Sequence, residues 1–264
     1  MRRLLLRLFP RLFPRLSLGL SLGLSPVLWL GCARGDTEPL GATAAGSSRA
    51  PERAQELRSE RGYASSRSRL EARRVGLARE RGRRRDQTLG RARELLVATL
   101  RDEILPAWDG TPWAFHGTSQ APGQGEIACG YFVTTTLLHL GLQVERAQLA
   151  QQASELIAQS LALGHPVRRT SDLPIDAFLD KVRASGAGIY IVGLDNHVGF
   201  LIVDGTDAWF HHAAPREVVK REPAREAPYL VASRYRVFAR LFDDVLVEKW
   251  LRGEPIATVT PKRR

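Results

Sequence analysis

The chain has 264 residues, 44% of them hydrophobic, a formal net charge of +11 and two cysteines, Cys32 and Cys129. Charge is concentrated in the N-terminal third and apolar periodicity begins only near Thr88, which leaves about 175 residues to bury one core rather than two. The basic excess is almost all arginine, with lysine only at 181, 220, 249 and 262. No zinc-finger spacing or aromatic RNP-type strand goes with it, which argues against a nucleic-acid partner.

Residues 1–32 read as an export signal. Arginines at 2, 3, 7, 11 and 15 precede an uncharged apolar run from Leu16 to Leu30, and Gly31-Cys32 closes it. The run is short for a membrane-spanning helix, which needs about 20 apolar residues. Leu28-Trp29-Leu30-Gly31-Cys32 resembles a bacterial lipobox, with Trp29 where an aliphatic residue is usual. The resemblance implies lipidation at Cys32, a membrane contact through that lipid, and, with Ala33 next, a place on the periplasmic face of the outer membrane. An ordinary signal with an incidental cysteine is the alternative. Residues 33–87 are rich in Arg, Glu, Ser, Gly and Ala and nearly free of aromatics, so they are expected to form a solvated, disordered tether.

The folded domain is expected over residues 88–254. Thr88 to Ile104 has helical spacing and Pro106 should end it. A helix is predicted over Cys129 to Leu142, weakened near its end by Gly141, with amphipathic helices over Glu145 to Leu161 and Ile175 to Ala184. The period then changes. Gly188 to Gly193, His197 to Asp204, Ala208 to Ala213, Glu217 to Arg221 and Tyr235 to Phe242 read as strands. A closing helix follows over Asp243 to Arg252, and residues 255–264 form a basic tail. Helices first and antiparallel strands after them give an α+β fold.

Cys129 opens an apolar-periodic helix, and His197 starts a strand motif, Asn196-His197-Val198-Gly199-Phe200. A thiol at a helix N-terminus and a strand imidazole are the parts of a cysteine nucleophile: the helix start favours thiolate and the imidazole takes the proton. With both cysteines so used no disulfide remains, and a lone thiol in an oxidising compartment is itself suggestive. Asp204-Gly205-Thr206-Asp207 reads as a hairpin turn. Either two-residue loop within it, Asp204-Gly205 or Gly205-Thr206, puts His212 on the face of His197 and sends His211 to the other. An odd loop would reverse them. Adjacent strand histidines point apart, which argues against a metal site built from His197, His211 and His212. His139 and His165 read as structural.

These features resemble the NlpC-type papain-like cysteine peptidases of bacterial envelopes over roughly residues 88 to 242. Pro112-Trp113-Ala114-Phe115-His116-Gly117-Thr118-Ser119 is similar to the family's segment ahead of the cysteine, and His197-Val198-Gly199-Phe200 to its histidine strand. The resemblance implies N-terminal helices packed on an antiparallel sheet, Cys129 as nucleophile, His197 as base and acid, His212 as its orienter, and no cofactor. Its implied substrates are amide bonds in peptidoglycan stem peptides or other peptides. The family's Asp-Cys-Ser-Gly is Ala128-Cys129-Gly130-Tyr131 here, so groups that hold the stem-peptide amine are missing, and Glu126 is the nearby carboxylate. The Cys129 backbone N–H, Gln124 and Trp113 are candidate oxyanion donors, and His116 a candidate cleft residue. A non-catalytic binding module on the same fold, or an acyl or amide transferase, are the alternatives. Oligomeric state is not legible.

Overall fold

The computed structural model of the chain describes residues 55, 59–80 and 84–261; the expected export signal and Cys32 lie outside them. Part of the expected tether is a helix, α1 (Glu60–Glu80), docked on the domain. Its buried large apolar residues, Tyr63, Leu70 and Leu77, fall seven apart, with buried Ser66 between the first two. Seven residues is nearly two helical turns, so one narrow stripe suffices to seat an otherwise polar helix. Burying each leucine contributes about 1.5–3 kcal/mol. The Trp108 indole N–H donates to Tyr63 Oη at 2.9 Å, and that hydroxyl is 2.9 Å from His139 Nδ1. Burial pushes the His139 pKa down to about 4, so its ring is neutral and accepts the tyrosine proton. Arg74 donates to the carbonyls of Trp250 and Leu251.

Helix α2 (Arg85–Thr99) continues through a wide π turn at Leu100–Ile104 into α3 (Leu105–Trp108). Pro106 was expected to end this helix near Ile104. The Leu105 N–H instead bonds Leu100 O, five residues back, and the helix runs on past Ile104 with Pro106 in the first turn of α3. Next come α4 (Cys129–His139) and β1 (Gln143–Val144). The single helix expected over 145–161 is broken into α5 (Arg146–Ala150) and α6 (Ser154–Leu161). Ala153 is extended at the break and the Ser154 hydroxyl donates to Leu194 O at 2.7 Å, so tertiary bonding overrides the helical period.

The remaining elements are β2 (Arg168–Ser171), α7 (Ile175–Arg183), β3 (Gly188–Leu194), β4 (Val198–Asp204), β5 (Asp207–Ala213), β6 (Val219–Pro223), α8 (Pro228–Ala232), β7 (Tyr235–Arg240), α9 (Asp244–Arg252) and β8 (Pro255–Ile256). Six strands form one antiparallel sheet in the order β2-β7-β3-β4-β5-β6. The fold is α+β, as the element order predicts. One face of the sheet presents Ile191, Phe200 and Ile202 to the main core with α2 and α4. The other presents Tyr190, Leu201 and Phe210 to α7 and α8. Central strands covered on both faces explain the nearly unbroken apolar runs of β3 and β4. The start of the expected basic tail is also docked: β8 pairs with β1, and the Val259 N–H donates to the Ser160 hydroxyl.

Candidate active site

Asp204 pairs with Asp207 across β4 and β5, so Gly205-Thr206 is the loop, and Phe200 lies opposite His211. One step further along this register, Gly199 faces His212; a Cβ on Gly199 would lie 2.8 Å from the His212 Cβ, so only glycine allows this approach. His197 and His212 therefore share a face, with His197 Nε2 2.7 Å from His212 Nδ1 and both rings buried. Phe210 stacks on His212 and Tyr229 packs against His197. His211 takes the opposite face, stacked on Phe132 of α4, with Nε2 2.8 Å from the Asp109 carboxylate. The three imidazoles do not converge on one point.

The strand that carries His197 is pinned at its start. The Leu194 N–H donates to His197 O at 2.8 Å. The Asp195 carboxylate accepts from the backbone N–H groups of Arg234 and Tyr235 and from the Ser233 hydroxyl, tying this turn to β7. Cys129 is the first residue of α4, preceded by extended Ala128, and is partly buried. Gly130 is required beside it: a Cβ there would lie 2.2 Å from Ala150 O, where α5 closes against the cysteine helix. The backbone N–H groups of Val198, Gly130 and Cys129 all act on the thiol. Val198 adjoins His197 in the chain, so the thiol lies beside the start of β4, while the His197 ring packs with His212, Phe210 and Tyr229 on the face of the sheet that α8 covers. Cys129 and His197 both line a cleft of about 340 Å³, together with Ser154, Glu155, Asn196 and Tyr235. They are not hydrogen-bonded to each other: His197 Nδ1 is buried without a partner.

Burial governs the charge state. It pushes the Cys129 thiol up, and the three backbone N–H groups offset this only in part. Burial likewise drives His197 down to about 3, assisted by His212. His212 is held at about 3 by burial, then by the Lys220 charge and by His211. The expected thiolate at the helix start is thus not the resting form. Desolvation outweighs a helix-terminus effect of about 0.3–1 kcal/mol, and the pair rests as thiol and neutral imidazole.

The remaining candidates lie elsewhere. Gln124, Glu126 and His116 are exposed and do not line the cleft with Cys129; His116 packs edge-on against the Phe115 ring. The Gly-rich loop turns them outward, with the Glu126 and Gln124 carbonyls taken up by the Ser119 N–H and hydroxyl. Trp113 is half-buried, is not a lining residue of the cleft, and keeps a buried indole N–H without a partner. Sequence reasoning missed Glu222, whose Oε1 lies 2.8 Å from His212 Nε2. Strand alternation puts Glu222 on the His212 face, but only once the β5–β6 register is known. The turn that sets it has Arg216 at φ 63, a left-handed position without the usual glycine or asparagine signal. Among protein-family models, curated proteins and solved structures, none matches this chain.

Proposed function

We propose that this protein is an exported thiol hydrolase of papain-like, NlpC-type fold that cleaves amide bonds, with peptidoglycan stem peptides as substrates. The observation that carries the reading is that His197 and Cys129 line one cleft, with His197 Nε2 2.7 Å from His212 Nδ1 and His197 Nδ1 buried without a partner. In the reaction, Nδ1 takes the thiol proton as Sγ attacks the amide carbonyl carbon. The carbonyl oxygen gains the charge near the backbone N–H groups at the start of α4. His197 returns the proton to the departing amine nitrogen as the C–N bond breaks, leaving a thioester on Cys129. Water, deprotonated by the same imidazole, then releases the acid. A neutral resting pair suits this sequence, since the proton moves when substrate is present to receive the sulfur.

A binding module on the same fold is the second reading, favoured by the raised thiol pKa and the absence of a Cys129–His197 hydrogen bond. Digestion of peptidoglycan fragments separates the two. The hydrolase reading expects new free amine and carboxyl ends with wild-type protein and none with Cys129→Ala. Binding without cleavage by the wild type, or equal cleavage by Cys129→Ala, would overturn it.

A further inference from the structure

We propose that Glu222, paired with Lys220, sets the tautomers of His212 and His197 together, so that His197 is left with a bare Nδ1. This rests on the hydrolase reading for its purpose, though not for its geometry. A carboxylate only accepts hydrogen bonds, so the 2.8 Å contact between Glu222 Oε1 and His212 Nε2 requires the proton on Nε2. In a neutral ring Nδ1 is then bare and accepts, and at 2.7 Å its partner His197 Nε2 must carry a proton. The neutral His197 ring is left with Nδ1 as its one basic nitrogen, the atom that lies buried and unpartnered.

The chain of tautomers works only while His212 stays uncharged. An imidazolium at His212 would donate from both nitrogens, force His197 Nε2 bare and place the His197 proton on Nδ1, where it would block transfer from the thiol. A carboxylate alone invites that imidazolium. Lys220 opposes it: it sits across the ladder from His212, and its Nζ lies 2.9 Å from Glu222 Oε2 and 2.8 Å from Glu217 Oε2. The charged groups facing His212 are thus Glu222 and Lys220, with Glu217 behind the lysine, and its other neighbours are His197, Phe210 and Tyr229. Glu222 and Lys220 are positioning residues, since neither lines the cleft that holds Cys129.

Nitrogen-15 NMR of histidine-labelled, substrate-free protein tests this without any turnover. Wild type should show His197 and His212 each as a single Nε2–H tautomer near neutral pH. Glu222→Leu should lose that uniqueness at both rings, while Glu222→Gln, which keeps an acceptor oxygen, should retain it. Lys220→Met should raise the His212 titration and carry His197 to the Nδ1–H form as His212 protonates. A wild-type His197 in the Nδ1–H form, or tautomers unchanged in Glu222→Leu, would overturn the proposal. If the tautomers are as stated but no amide is cleaved, the hydrolase reading fails and this assignment stands. If cleavage occurs with the opposite tautomer, only this assignment fails.

Discussion

Replacing His197 by alanine is expected to slow turnover of a peptide amide by about 10²- to 10⁴-fold, the range for a general acid–base group. His212→Ala should cost less, because it removes the support of the base rather than the base itself. His211→Ala should leave turnover within a few-fold of wild type. The distinction comes from the two-residue loop Gly205-Thr206, which puts His212 beside His197 and turns His211 onto Phe132 under the cysteine helix. Steady-state kinetics on one substrate with the three variants checks it. An inactive His211→Ala beside an active His212→Ala would mean that the register argument picks the wrong histidine.

Arg236→Met is expected to destabilise the fold by about 3–5 kcal/mol, since it removes three charge-assisted bonds and leaves the buried Leu230 carbonyl without its donor. The guanidinium is buried, donates to Leu230 O at 2.8 Å, Leu173 O at 2.7 Å and Val231 O at 2.9 Å, and lies over the Phe178 ring. Burial lowers its pKa, and the carbonyl dipoles hold the charge in place. The bonds anchor α8, which carries Tyr229 against His197, so loosened packing should also disturb the imidazole. Urea unfolding measures the effect. A loss under about 1 kcal/mol would mean that the side chain's role is mostly solvated.

The α+β order was legible because its signals are local. The strand periods of β3, β4 and β5, the helix opened by Cys129, and Asp243 capping the closing helix by accepting from the Leu246 N–H all depend on near neighbours. The hairpin that pairs His197 with His212 was legible for the same reason. Helix α1 was not, because a narrow stripe of Tyr63, Leu70 and Leu77 in an otherwise largely polar segment looks like a tether until a surface exists to receive it. The edge strand Arg168–Ser171 has no alternation, and its residues are mostly exposed. The protonation state of Cys129 was misjudged because a helix start is visible in sequence and burial is not. Glu222 was hidden behind a turn whose register has no sequence marker.

Acylation of Cys129 is the central event of the proposed chemistry, and intact-mass spectrometry can observe it directly. The protein would be mixed near neutral pH with an activated acyl ester, and the site of modification mapped by peptide digestion. The account predicts one acyl group, on Cys129, none with Cys129→Ala, and formation slowed by at least about 10²-fold in His197→Ala. No adduct at Cys129, or equal rates with and without His197, would contradict it.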